Sequence, residues 1–123
     1  MGLKYISEYN RLGVNLDETM ERFMQSEEMY IRFLKRFPAD KNFDKYMKAV
    51  DESDVTAAFE ATHALKGVTA NLGLGKVLKE IRPLVEVYRA GRLDADPDNI
   101  ERFKLFYHEA IELIGGMEMS EDP

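Results

Sequence analysis

The chain contains no cysteine, and only eight glycines and four prolines among its 123 residues. Without cysteine there can be no disulfide and no thiolate metal site, and the redox compartment stays undetermined. No apolar run approaches the ~20 residues needed to cross a bilayer. The N-terminal Met1-Gly2-Leu3-Lys4-Tyr5 lacks the uninterrupted apolar core of a signal peptide. The expectation is a cytoplasmic protein with no membrane partner. Glycine and proline fall mostly between periodic segments, which argues against a β-rich or disordered chain. Positive charge is also in deficit. A net charge of −6 opposes the phosphate neutralisation on which non-specific nucleic-acid binding rests. The basic groups Arg32, Lys35, Arg36 and Lys76, Lys79, Arg82 read as solvated helix faces rather than a nucleic-acid patch. A nucleotide-binding glycine loop, a Ser-His-Asp arrangement and a kinase signature are all missing.

What remains is a helical chain of the size of one domain, with 45% hydrophobic and 33% charged residues. The spacing predicts short helices over Leu3 to Asn10, Asp17 to about Met24, and Glu27 to Phe37, the last capped by Ser26 and stopped by Pro38. Four longer helices follow over Phe43 to Glu52, Val55 to Asn71, Leu74 to Ala90 and Asp98 to Ile114. Asp54 caps the second of these, and Asp96 or Pro97 starts the last. Pro83 should kink the third, because it has no N–H and its ring crowds the Lys79 carbonyl. Short connections favour antiparallel neighbours. The fold expected is all-α, an antiparallel up-down four-helix bundle over 42–115. Residues 1–40 form an N-terminal helical cap, and 116–123 a frayed tail. Its core should include Ala58, Ala61, Leu65, Val68, Leu72, Ile81, Leu84, Phe103, Phe106 and Ile114.

Within Val55 to Asn71, helical projection puts His63, Lys66, Gly67 and Ala70 on one stripe with Phe59 a turn upstream. The apolar set falls on the other side, so the imidazole points outward beside a cation and a residue without a side chain. Neutral imidazole is a competent nucleophile near pH 7. Lys66 at i+3 can reach an oxygen of a phosphoryl group held on the ring, offsetting a charge of about −2. Gly67 costs about 1 kcal/mol against alanine in mid-helix, so something other than helix stability favours it. Room for a phosphoryl group and a docked partner supplies that reason. Gly73 reads as a helix terminator.

The stretch His63-Ala64-Leu65-Lys66-Gly67, with Asn71-Leu72-Gly73-Leu74, resembles the histidine-containing phosphotransfer (HPt) family of two-component phosphorelays. More weakly, the likeness runs from Tyr9 and Gly13-Val14-Asn15-Leu16-Asp17 to the last helix. The resemblance implies that His63 exchanges a phosphoryl group with aspartates of response-regulator receiver domains, fed by a hybrid sensor histidine kinase. It implies a phosphorelay intermediate rather than an autonomous enzyme, holding no cofactor of its own, with Mg²⁺ supplied by the receiver. A monomer is expected. Phe59, Gly67 and Ala70 should lie at the centre of the partner surface with Lys66 at its edge, and Arg89 is a further candidate there. In the family a polar residue on the next helix often hydrogen-bonds the second imidazole nitrogen. Arg82, Val85, Glu86 and Arg89 are the candidates by spacing, and Val85 could make no such bond. His108 lacks a companion ligand at metal-binding spacing, and Met20, Met24, Met29 and Met47 fit core or cap packing. The competing reading is an adaptor of the same fold that binds a receiver without being phosphorylated.

Overall fold

A computed structural model describes residues 2–119. They form seven α-helices and one 3-10 turn, with no strand among the described residues. The helices are α1 (Ile6–Leu12), α2 (Leu16–Arg22), α3 (Glu27–Leu34), α4 (Asn42–Asp51), α5 (Val55–Leu72), α6 (Gly75–Arg89) and α7 (Pro97–Gly115), with the 3-10 turn at Phe37–Ala39 between α3 and α4. The last four make the antiparallel bundle. Each is packed on the next, and an aromatic seam closes the ring between α4 and α7. There Phe43 stacks on Tyr107 with centroids 3.9 Å apart and planes 6° from parallel, while Tyr46 meets Phe103 edge-on.

Local chemistry sets most boundaries. Asn15, rather than Asp17, opens α2, its side chain accepting from the Glu18 N–H at 3.2 Å. Ser26 and Asp54 cap α3 and α5 as expected, at 3.1 and 3.0 Å. The first helix starts at Ile6, later than Leu3. The Glu27 carboxylate holds the chain just ahead of it, accepting from the N–H groups of Lys4 and Tyr5 and from the Tyr9 hydroxyl, the last at 2.6 Å. Pro38 acts earlier than its position suggests. It has no N–H for the Leu34 carbonyl, so α3 closes at Leu34 and the chain tightens into the 3-10 turn. Pro83, by contrast, does not break α6, which is continuous through it. The proline is exposed, so the carbonyl it deprives of a donor can be hydrated. Ile81, Leu84, Val85 and Tyr88, all buried, hold both halves on the core.

Most of the anticipated core is buried, with two exceptions. On α5 the buried residues are Ala58, Ala61, Thr62, Leu65, Thr69 and Leu72, and Val68 lies at the edge of that stripe, half-buried. The two threonines are tolerated because their hydroxyls donate to the Ala58 and Leu65 carbonyls at 2.8 and 2.7 Å. On α7, Phe106 is also half-buried, beneath the Lys76 ammonium 4.8 Å from its ring, and Tyr107 takes the core position. Met24 does not pack in the cap. It is 78% exposed, at φ +56° in the turn that closes α2.

Residues before α4 cover the end of the bundle where α5 turns into α6 and α7 ends. Tyr30 donates to the Leu72 carbonyl at 2.6 Å, and Lys35 to that of Ile114 at 3.0 Å. Arg22 donates to the Asn71 carbonyl at 2.9 Å, placing a cation at the negative end of α5. The start of the anticipated tail is packed too: Met117 is buried, and the Glu118 N–H donates to the Tyr5 hydroxyl at 2.7 Å. Residues 120–123 lie outside those described. Among the described residues, no helix is long and apolar enough to cross a membrane.

Candidate functional site

His63 is the ninth of the eighteen residues of α5, midway between the Asp54 cap and the left-handed Gly73 that ends the helix. The buried alanine–threonine–leucine stripe fixes the rotation of α5 against its neighbours, and that rotation decides what faces out. His63, Gly67 and Ala70 are exposed, and Phe59 and Lys66 are half-buried. The structure therefore brings together the five residues that share the predicted stripe.

A Cβ placed on Gly67 would meet no heavy atom within 4 Å. No neighbour requires glycine there, and the space outside it is open. Among the described residues Lys66 enters no ion pair, while other cations of this chain are engaged: Lys76 with Glu109 at 3.3 Å, Arg102 with Glu80 at 3.0 Å, Arg22 with Glu18 at 3.7 Å. The Lys66 ammonium is thus free to meet an anion at the imidazole.

The basic groups noted in the sequence resolve differently. Arg32 pairs with Glu28 and Arg36 lies over the Phe33 ring, while Lys35 closes on the end of α7. They are spent on internal contacts. Arg82 remains exposed on α6 and lines a hollow of about 260 Å³ with Ala70, Arg22 and Asn15, at the cap end of the stripe. A second surface hollow, about 410 Å³, lies between α4 and α5 and is lined by Lys45, Lys48, Glu52 and Glu60 among others. None of the five stripe residues borders it.

Of the four candidate hydrogen-bond partners on α6, none bonds the imidazole among the described residues. Val85 is fully buried, Arg82 lines the hollow near Ala70, and Glu86 turns to Arg89 at 3.4 Å. Arg89 instead lies over the Phe59 ring, 5.0 Å from its centroid. Phe59 in turn stacks on His63, with centroids 5.4 Å apart and planes 24° from parallel. This chain of contacts was not foreseen from the residue pattern. The i, i+4 spacing of Phe59 and His63 was the signal for its first link, whereas Arg89 comes from another helix and only the bundle reveals it.

His108 is exposed on α7, with edge contacts to Phe43 and Tyr107 at 5.2 and 5.6 Å, away from the α5 stripe. Within the described residues no group of three histidine or carboxylate side chains converges as a metal site.

A family model described as the Hpt domain matches residues 18–114, the greater part of the chain including the whole bundle core and the stripe. No curated protein and no solved structure gives a significant match.

Proposed function

The chain belongs to the Hpt domain family, and from that premise we propose that His63 is its phosphoacceptor, taking a phosphoryl group from a receiver-domain aspartate and passing it to another. The observation that carries this reading is the exposed imidazole on mid-α5 with an unpaired Lys66 and the open space over Gly67. In the forward step an imidazole nitrogen attacks phosphorus in line. The P–O bond of the acyl phosphate breaks, the carboxylate leaves, and a P–N bond forms while the second ring nitrogen keeps its proton. The reverse step returns the group to a second aspartate. Lys66 offsets charge on the equatorial oxygens, and Gly67 leaves them room.

The receiver supplies Mg²⁺ and most of the transition-state stabilisation, so this chain presents a positioned nucleophile and has no kinase activity of its own. Its partners are response-regulator receivers and a hybrid sensor kinase, met in the cytoplasm by a monomer whose docking surface centres on Phe59, Gly67 and Ala70. A phosphorylated receiver mixed with this protein and followed on a phosphate-affinity gel tests the proposal. Label should move to the wild type and not to His63→Gln, while His108→Gln behaves as wild type. Receiver binding without any label on the wild type would favour the adaptor reading.

A further inference from the structure

We infer that Phe59, braced by Arg89, is the positioning residue for the His63 ring, doing by stacking what a hydrogen bond from α6 would otherwise do. The inference rests on the reading of His63 as phosphoacceptor. An exposed histidine has several staggered side-chain rotamers open to it, and in-line attack needs the nitrogen held in one direction. No α6 side chain among the described residues bonds the ring, and of the four candidates by spacing Val85 is buried and apolar while Arg89 and Glu86 pair with each other. The ring instead stacks on Phe59, with the two planes 24° apart. Phe59 is itself held in place. It is half-buried on the bundle, and the Arg89 guanidinium lies over its ring. Glu86 in turn holds Arg89 from one turn back on α6.

An aromatic plate on the preceding turn favours imidazole orientations that keep the two rings stacked, while no hydrogen bond among the described residues occupies either ring nitrogen. Phe59 would then act twice, as plate for the nucleophile and as floor of the docking surface. The two roles separate when the phosphoryl donor is too small to touch the docking surface. Phosphoramidate is such a donor: the imidazole nitrogen attacks phosphorus, the P–N bond of the donor breaks, and ammonia leaves with the electron pair.

The test compares wild type, Phe59→Leu, Phe59→Tyr, Arg89→Gln and His63→Gln in two measurements. The first is the NMR shift of the His63 ring protons. Stacking on Phe59 should move them upfield, Phe59→Leu should return them toward the free-histidine value, and Phe59→Tyr should restore the displacement. The second is the rate of His63 phosphorylation by phosphoramidate. It should fall about threefold to tenfold in Phe59→Leu, recover in Phe59→Tyr, and fall less in Arg89→Gln, in keeping with the modest worth of an aromatic pair. Melting temperatures confirm that each variant is folded. Unchanged ring shifts and rate in folded Phe59→Leu would overturn the positioning role. If the shifts respond but wild type and His63→Gln take up phosphate equally, the fault lies with the phosphoacceptor reading, and Phe59 then positions no reacting group.

Discussion

The turn between α5 and α6 and the outward face of α5 both depend on glycine, for opposite reasons. At the turn, a Cβ on Gly73 would stand 2.6 Å from the Thr19 hydroxyl, and one on Gly75 would strike the Gly13 carbonyl. Gly75 lets the bundle meet the cap backbone to backbone, and Gly73, in the left-handed region at φ +72°, leaves room for the Thr19 side chain. At Gly67 a Cβ would touch nothing. Packing dictates glycine in the first region. In the second, glycine stands against the interest of the helix, at a cost of about 1 kcal/mol relative to alanine. Under the proposed function, open space kept at a cost beside an exposed imidazole and an unpaired lysine is room for the phosphoryl group and its donor.

The contrast can be broken most forcefully at Gly67. A glutamine there should leave the fold intact, since nothing is displaced, yet obstruct the donor and slow receiver-to-His63 transfer about a hundredfold, the scale on which a misplaced reactant is felt. Stopped reactions on a phosphate-affinity gel, with a melting curve of the same sample, measure both. Gly75→Ala is the mirror case. Its methyl meets backbone, so it should destabilise by about 1–3 kcal/mol and lower the melting temperature by roughly 5–15 °C. Transfer should stay near the wild-type rate wherever the protein remains folded. Lys66→Ala sharpens the comparison within the open face. It should slow transfer about tenfold by removing charge stabilisation of the phosphoryl group, while the melting temperature barely moves, because a surface cation with no ion pair adds little to folding.

The remaining effect is one of pH and leaves the α5 face untouched. Burial, and for Tyr9 the adjacent Glu27 carboxylate, raise the phenols of Tyr9 and Tyr30 well above the ordinary tyrosine range. Burial does the same to Tyr46 on α4. Above about pH 10 the unfolded chain loses these protons while the folded one keeps them. The stability they contribute is therefore full below pH 10 and declines as pH rises through and beyond it. A series of melting temperatures from pH 8 to 11 should be flat at first and then fall. Tyr30→Phe should reduce the steepness of that fall while also losing the bond to the Leu72 carbonyl.

The bundle was largely legible in the sequence because its helices announce themselves in one dimension, by apolar period, caps such as Asp54 and stops such as Gly73. The stripe on α5 was legible for the same reason, since residues three and four apart must share a face. What escaped the sequence came partly from local side-chain bonds and partly from contacts between elements. Asn15 caps α2, which begins at Leu16 rather than at Asp17, and Glu27 holds the chain ahead of α1 from 22 positions away. Thr62 and Thr69 displaced Val68 from the core because their hydroxyls find partners within the helix itself. The continuity of α6 through Pro83 was legible, since the apolar period runs on both sides of it and Ile81, Leu84, Val85 and Tyr88 are buried. Arg89 reached the imidazole's neighbour across the bundle, a relation that no spacing along one helix encodes.

The central claim is that the open face of α5 exists for a phosphoryl group on His63, and it is tested most directly by ³¹P NMR of the folded protein after exposure to phosphoramidate. The account predicts one phosphohistidine resonance, stable in alkali and lost in acid, present in wild type and in His108→Gln and absent from His63→Gln. A resonance that survives in His63→Gln, or vanishes in a folded His108→Gln, would contradict it.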